Sequence, residues 1–439
     1  MTTHKTRLLA RYRRKKRLLL FLALPVLAGI GLWIGVVWVF PLLLLAWIAH
    51  EAWFSDHLFY TPSADYQYRF GSLAQILPTS FAESRLTLAD GAEPPDEADT
   101  LLLGLRLRCR SLGRFLDPVV VIAANGTGSK DDTSADCQTF ERGVAGLRYL
   151  NLTGFANALK NSGLDLLGQH CRLVGEPVLW RIPNPDYRQK RLLIIAPHAD
   201  DAELAAFGLY SQAKEVWIVT LTAGEIETEH YRRMGLAPAE AARTKGRLRA
   251  WDSIAVPLWG GVPPEHCAQL GYFCLQLSAM RAEPEKAIPS REAELCDTRP
   301  FRRYNRIQLA SDADGIPSWK NLLADLRELM ERARPEVIVL PHPYLDPHPD
   351  HVAAHAAILE ILQTSSLRMQ TLLTYANHLH DNDRWPMGEA HQGVALPPLM
   401  EATAAFTPYA FSLDPKRQRD KAMALAMMHD LASRLPRKR

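Results

Sequence analysis

The run Leu192-Leu193-Ile194-Ile195-Ala196-Pro197-His198-Ala199-Asp200-Asp201 passes from one residue pattern into another. Its four leading apolar residues read as a buried parallel strand. The alanine-rich segment 202–213 that follows reads as a helix. One histidine and two adjacent carboxylates therefore sit where a strand hands over to a helix. In open α/β sheets the carboxyl ends of strands are where ligands bind. A second cluster, His348-Pro349-Asp350-His351, with His355 one helical turn later, follows another apolar run, Val337-Ile338-Val339-Leu340. Two clusters rich in His and Asp at two strand ends predict one metal site assembled from both.

Working outward, the pattern from Arg191 onward is βαβ. Val216-Trp217-Ile218-Val219-Thr220-Leu221 reads as a second strand and Thr371-Leu372-Leu373-Thr374-Tyr375 as another. Residues 319–332 alternate charged and apolar positions at helical spacing, residues 351–362 read as a helix, and a closing helix is expected over 415–435. Strands alternating with helices predict an α/β fold with a Rossmann-like parallel sheet over 187–439. No GxGxxG follows the first strand, so no nucleotide cofactor is implied.

The polar segment Pro183-Asn184-Pro185-Asp186 separates this domain from a different pattern upstream. Short apolar runs recur there: Leu101–Leu105, Val119–Ile122, Gly146–Leu152 and Val178–Ile182, with Gly, Asn, Asp and Ser between them. Arg106, Arg108 and Arg110 alternate with apolar residues, as on a strand with one wet face. These features predict a jelly-roll-like β-sandwich domain over 99–186, with 55–98 as a linker.

Leu18 to Ala49 contains no charged residue, a membrane signal. The run is too long for a cleaved signal peptide, and no small-residue cleavage site follows. Residues 18–54 are expected to be a transmembrane segment: either one tilted span, or a helical hairpin turning near Val39-Phe40-Pro41. The hairpin is favoured because Pro25 and Pro41 interrupt one long helix. Lys5, Arg7, Arg11, Arg13, Arg14, Lys15, Lys16 and Arg17 make residues 1–17 a basic, cytoplasmic N-terminus under the positive-inside bias. Without those eight, the balance of 51 Lys and Arg against 48 Asp and Glu turns acidic. The basic character is a local patch, and no nucleic-acid surface is implied. The six cysteines lack CxxC spacing and read as reduced thiols.

Catalytic zinc keeps about three protein ligands and one open position. His198 and Asp201 are three apart across a strand-to-helix turn and can face one point, with His351 completing the set from the other strand end. Asp200, between them, is free to take a proton from the attacking water. His348, as an imidazolium, would stabilise an oxyanion and protonate a leaving amine. A His-Asp pair at a helix start is ordinarily capping, and an Asp-Asp pair also suits magnesium and a phosphate. The presence of two clusters favours zinc.

Ala-Pro-His-Ala-Asp-Asp after a first strand, Thr-Leu-Thr-Ala-Gly-Glu at 220–225 and His-Pro-Asp-His at 348–351 together resemble the PIG-L/LmbE family of zinc-dependent de-N-acetylases, over roughly residues 189–439. The resemblance implies hydrolysis of the N-acetyl group of an N-acetylglucosamine unit. It implies Zn²⁺ held by His198, Asp201 and His351, Asp200 as general base, His348 assisting the tetrahedral intermediate and Asp350 as a carboxylate beside it. Arg243 lies where the family has a substrate-contacting arginine. Ala199 replaces the family's proline, and Gly246 stands where an acid is expected. The apolar and β-rich segments lie outside the resemblance. They point to a membrane-associated glycan, such as a lipopolysaccharide or core-oligosaccharide intermediate, handled with inner-membrane lipid at a bacterial inner membrane by a cytoplasmic catalytic domain. The alternatives are an amidase acting on a diffusible sugar conjugate and a non-catalytic membrane glycan-binding protein.

Overall fold

A computed structural model of the chain describes residues 4–53, 62–124, 135–365, 369–379, 385–399 and 404–429. The uncharged N-terminal run does not form one helix. Helix α1 (His4–Trp33) stops just before Gly35, whose φ of 109° lies in the region open to glycine. A 3₁₀ turn, Val36–Trp38, and α2 (Val39–Trp53) follow. At roughly 1.5 Å per residue the apolar part of α1 is about 24 Å long and α2 about 22 Å, both short of a hydrocarbon core of roughly 30 Å. Among the described residues no helix is long and apolar enough to cross a membrane, which corrects the expected transmembrane segment. The break falls at Gly35 rather than near Phe40. Pro25 lies within α1, and Pro41 sits in the first turn of α2, where a missing N–H is tolerated.

The chain divides into two units: Met1–Asn184 with His380–Ala410, and Pro185–Leu379 with Phe411–Arg439. The first unit is rich in strands: β1 (Arg69–Phe70), β2 (Gln75–Leu77), β3 (Thr79–Ala82), β4 (Arg85–Leu88), β5 (Thr100–Cys109), β6 (Val119–Ala123), β7 (Ala135–Thr139), β8 (Ala145–Asn151), β9 (Leu164–Gln169) and β10 (Cys171–Ile182), with α3 (Ala156–Asn161) before β9. Antiparallel pairings join β2-β10-β5-β8 in one sheet and β3-β4-β9-β6-β7 in another. Leu103, Leu150 and Leu179 of the first sheet share one apolar cluster with Leu86, Ile122 and Leu166 of the second. On β5 the buried Leu105 and Leu107 alternate with exposed Arg106 and Arg108, the one-wet-face pattern expected there. The segment 55–98, expected as a linker, carries β1 to β4; its residues 55–61 lie outside the described residues.

The second unit is built on a five-stranded sheet of β11 (Arg191–Ala196), β12 (Glu215–Thr222), β13 (Cys267–Tyr272), β14 (Val337–Pro341) and β15 (Thr371–Tyr375). Its order is β13-β12-β11-β14-β15 and every pairing is parallel. The last strand among the described residues, β16 (Ala405–Phe406), belongs to the first unit and pairs in parallel with β1. The connecting helices are α4 (Asp201–Tyr210), α5 (Glu229–Arg233), α6 (Pro238–Trp259), α7 (Leu277–Ala282), α8 (Arg299–Arg302), α9 (Trp319–Ala333), α10 (Pro349–Thr364) and α11 (Pro415–Met427). Leu193 and Ile195 of β11, Val219 of β12 and Ile338 of β14 bury against α7, α9 and α10 on one face of the sheet. On the other, α4 packs on β11, α6 on β13, and α11 on both helices.

Helix α9 shows how local chemistry sets these elements. Ser318 caps it by accepting from the Asn321 N–H, Leu322, Leu326 and Leu329 recur on its buried face, and Arg334 ends it in the left-handed region with φ 43°. The expected closing helix is seen to Met427, and residues 430–435 lie outside the described residues. Strand order reverses between β11 and β14, so the carboxyl ends of these two strands flank the topological switch point of the sheet, where open α/β sheets bind ligands.

Candidate metal centre

His198 follows β11 by two residues, and the turn there is tied down from several sides. The Pro197 carbonyl accepts both the N–H and the hydroxyl of Thr222, at 3.0 and 2.9 Å. The Tyr375 hydroxyl donates to the Ile195 carbonyl at 2.9 Å. The His198 N–H donates to Asp201 Oδ2 at 2.8 Å, which folds the side chain of the first α4 residue back over the strand end. Across the switch point His348 is the N-cap of α10, with Pro349 at the first helical position. Its Nδ1 accepts the Asp350 N–H at 3.3 Å, so in the neutral ring the proton sits on Nε2.

Three donor atoms from these two turns converge. Asp201 Oδ2 lies 3.2 Å from His198 Nδ1 and 3.2 Å from His351 Nε2, and the two nitrogens are 3.2 Å apart. A tetrahedral zinc with bonds of about 2.0–2.1 Å separates its ligand atoms by about 3.3–3.4 Å. The triangle therefore fits one divalent cation with little adjustment. His348 joins His198 and His351 in a second grouping with metal-ligand spacing, and His378 joins Asp201 and His351 in a third.

The donors are oriented by residues that carry no local sequence signal. Asp346 Oδ2 accepts His351 Nδ1–H at 2.8 Å, leaving the Nε2 lone pair free to bind, and also accepts the N–H groups of Asn377 and His378. A carboxylate behind a ligating histidine is the usual outer partner of a metal site. Asn377 Nδ2 donates to Asp201 Oδ1 at 2.8 Å, which turns Oδ2 toward the histidines. Asp200 stands outside the triangle and accepts from Arg249 Nη2 at 3.0 Å. Asp350 is fully buried; its Oδ2 lies 3.3 Å from His198 Nε2 and accepts the Leu275 N–H at 2.7 Å.

Electrostatics follow from this crowding. Burial disfavours a charged His198, but hydrogen bonds to Asp201, Asp350 and Cys274 outweigh it and hold its pKa well above the ordinary value. Burial likewise opposes charge on His351, and the Asp201 carboxylate reverses it, raising the ring to about 9. Burial would raise Asp201, and the charges and hydrogen bonds of His351 and His198 hold it well below the usual range. The carboxylates of Asp201, Asp346 and Asp350 touch these histidines, and a cation at the triangle would offset part of their charge. His348 behaves oppositely: burial, then the positive rings of His198 and His351, push it down to about 4. Burial first, and the charges of His198 and His351 second, favour the neutral ring at His348 over the imidazolium expected there.

The structure brings together His198, Asp200, Asp201, His348, Asp350 and His351, and leaves Arg243 apart. Arg243 Nε donates to the Ala293 carbonyl at 2.7 Å, and its guanidinium lies 3.8 Å from Glu294. Arg249, six residues on along α6, is the arginine that meets the cluster. Gly246, on the same helix, has no room for the expected acid, since a Cβ there would lie 2.5 Å from the Phe301 ring.

This geometry defines a class: an α/β domain with a His/Asp donor set at the switch point of a parallel sheet. Residues 193–362 match the PIG-L family, described as GlcNAc-PI de-N-acetylase, so this part of the chain is a PIG-L domain. No curated protein matches the chain. Among solved structures, a conserved protein from Thermus thermophilus is 20% identical, covering 46% of this chain and 70% of its own, with a TM-score of 0.26. The N,N'-diacetylchitobiose deacetylase of Pyrococcus horikoshii is 17% identical, covering 57% of this chain and 73% of its own, with a TM-score of 0.30. Likenesses this slight assign neither fold nor activity.

Proposed function

We propose that this chain is a zinc-dependent hydrolase that removes the N-acetyl group from an N-acetylglucosamine-type sugar of a membrane-associated glycan, such as a lipopolysaccharide, core-oligosaccharide or lipid-linked intermediate. The observation that carries the reading is the triangle of Asp201, His198 and His351 atoms at 3.2 Å inside a PIG-L domain. His198, Asp201 and His351 would hold a divalent cation there, which when bound would supply Lewis-acid polarisation of an amide carbonyl and a more acidic water. The remaining work belongs to side chains. Asp200, held by Arg249, takes the proton from the attacking water and passes it to the departing sugar nitrogen, so that amide and water become acetate and amine. His348, neutral and carrying its proton on Nε2, donates a hydrogen bond to the oxygen that gains charge.

Membrane association at a bacterial inner membrane, with the catalytic unit on the cytoplasmic side, is part of this proposal. It is supported by the outward apolar side chains of the N-terminal helices, among them Phe21, Leu32, Trp33, Val37 and Phe40, and by the basic residues that precede them. Helices too short to span would lie in the interfacial plane or enter one leaflet. We also read the first unit as a jelly-roll sandwich, because from β5 to β10 the chain passes back and forth between its two antiparallel sheets.

The test is acetate release from a panel of N-acetylated lipid-linked and soluble glycans by the full chain. Release from a lipid-linked member that His351→Ala abolishes is expected. Turnover of only soluble conjugates would remove the membrane glycan from the proposal, and zinc-replete protein inactive on every member would sink the deacetylase reading.

A further inference from the structure

Two cysteines of the first unit stand opposite each other. Cys109 ends β5 and Cys171 opens β10, and the antiparallel register of these strands makes them direct partners. The Cys109 N–H points the other way, to the carbonyl of Val144 just before β8, at 2.6 Å, while the next residue, Arg110, donates to the His170 carbonyl at 2.8 Å. Cys109 and Cys171 are therefore a non-hydrogen-bonded pair, the kind in which facing Cα atoms come to about 4.5 Å and side chains lie closest. Both side chains face the core. Cys171 belongs to the apolar cluster shared by the two sheets, and Cys109 packs against it. Both are free thiols in this structure.

A disulfide accepts Cα separations of about 4.4–6.8 Å and brings its Cβ atoms to about 3.5–4.5 Å. Facing Cβ atoms of antiparallel strands start about 4.5–5.5 Å apart, at the near end for a non-hydrogen-bonded pair. The remaining movement is small and falls at a strand end on each side. β5 runs through Arg110 into the turn Ser111–Arg114 and on to β6, and His170, at φ 60°, is the single residue between β9 and β10. Each of these segments carries the chain from one sheet to the other. A bond at this point ties the two crossings together.

The surroundings suit thiol chemistry. Arg108, Arg110 and Arg172 flank the pair and are exposed, and neighbouring cations favour thiolates. Cys109 is half-buried and Cys171 fully buried. Burial, then the Cys109 sulfur, push the Cys171 thiol up to about 11, with Arg110 opposing. An oxidant therefore meets Cys109 first.

We propose that Cys109 and Cys171 are an oxidative modification site, at which a disulfide-class oxidant such as oxidised glutathione closes a cross-strand bond within the first unit. The Cys109 thiolate attacks the oxidant, forming a mixed disulfide and releasing one thiol. Cys171, losing its proton, then attacks Cys109 Sγ and releases the second. Two protons leave the two cysteines, and their two electrons reduce the oxidant to two thiols. In a reducing compartment, such as the cytoplasm proposed above, the pair rests open and closes when the thiol pool turns oxidising. The site is independent of the hydrolase chemistry.

The experiment incubates the full chain in glutathione buffers poised reducing or oxidising. Remaining thiols are trapped with iodoacetamide under denaturing conditions, and the peptides are mapped by mass spectrometry. In the oxidising buffer Cys109 and Cys171 should lose alkylation together and appear as one cross-linked peptide pair, reversed by dithiothreitol. Closing a loop of about 60 residues should raise the thermal midpoint of the first unit by about 5–15 °C. Cys109→Ser should show neither the cross-link nor the rise. Two alkylated thiols after oxidation, a stable glutathione adduct at either cysteine, or a bond from either to another cysteine would overturn the site. So would an unchanged or lower midpoint in the cross-linked form, or a rise that persists in Cys109→Ser. Should that variant fail to fold, the wild-type peptide map and midpoints still decide the matter.

Discussion

Asp346 is the residue on which the geometry makes its most exposed claim. Its side chain is fully buried. Burial alone would raise its carboxyl, but the His351 hydrogen bond and charge and the Asn377 N–H keep it below the ordinary range. Oδ2 takes three donors, His351 Nδ1–H and the N–H groups of Asn377 and His378, while Oδ1 accepts the His348 N–H at 3.2 Å. Asp346→Asn keeps the shape and leaves one oxygen. The cheaper orientation puts that oxygen at the Oδ2 position and turns the NH₂ toward the His348 N–H, giving up one long hydrogen bond. The expected stability loss is therefore about 1–3 kcal/mol for one donor left facing another. The functional effect falls on His351, which loses one of the anions that raise its basicity. Losing such an outer partner costs about 10–100-fold in metal affinity, or about 1.4–2.8 kcal/mol. Competition against a chelator of known affinity measures the metal affinity, and urea unfolding measures the stability. A folded Asp346→Asn protein with unchanged metal affinity would refute the assignment of His351 Nε2 as a ligand.

Other expectations follow from the same contacts. His198→Ala and His351→Ala should each lose the cation of the triangle, read as metal content by mass spectrometry; full retention in both would dismiss that site. Asp200→Asn should retain metal while acetate release falls by about 10²–10⁴-fold, and near-normal turnover would mean that another group activates the water. Lys421 Nζ donates to the Leu204 carbonyl at 2.8 Å, and burial pushes its amine down to about 8, with Glu203 opposing. Between pH 8 and 10.5 the unfolded chain keeps a proton that the folded chain has released, so stability rises with pH across that window and is lost again as pH falls back toward 8. The span is at most about 3.4 kcal/mol, and smaller for a side chain still partly in contact with water. Lys421→Met should flatten this part of the unfolding profile, whereas an unchanged slope would assign it to other groups.

The parts of the fold legible in the sequence are those whose burial is simple. β11, β12 and β14 are covered on both faces and read as unbroken apolar runs. β13 does not, because Gln269 sits in its middle, fully buried and bonded to the Thr222 carbonyl and Ser253. Helix α6 is hidden in the same way, since Lys245, Arg249 and Asp252 occupy its buried face. The strands β1 to β4 are two to four residues long, too short to show an alternation. At the site, residues that share a motif could be found together. Asp346, Cys274 and Arg249 come singly from separate segments, Asn377 and His378 as neighbours from another, and only folding brings them into register. Asp346 lay closest to being found, two residues before His348. The downward shift of the His348 ring was not readable, because its first cause is burial, which only the folded chain sets, and part of the rest comes from His198, 150 residues away.

The boundary between the two units is crossed three times, after Asn184, Leu379 and Ala410. On a ribosome this imposes an order of completion. β1 emerges early, yet its partner strand β16 is made only after the whole of 185–379 has followed. At about 5–20 residues per second, the edge of the first unit waits some tens of seconds for its last strand. During that interval the parallel sheet can finish, and its helix α11 is still to come. Neither unit can be cut out as one continuous gene segment. A boundary placed after Asn184 would strand residues 380–410 on the wrong fragment, so dissection of this protein calls for circular permutation or a grafted loop in place of a simple truncation.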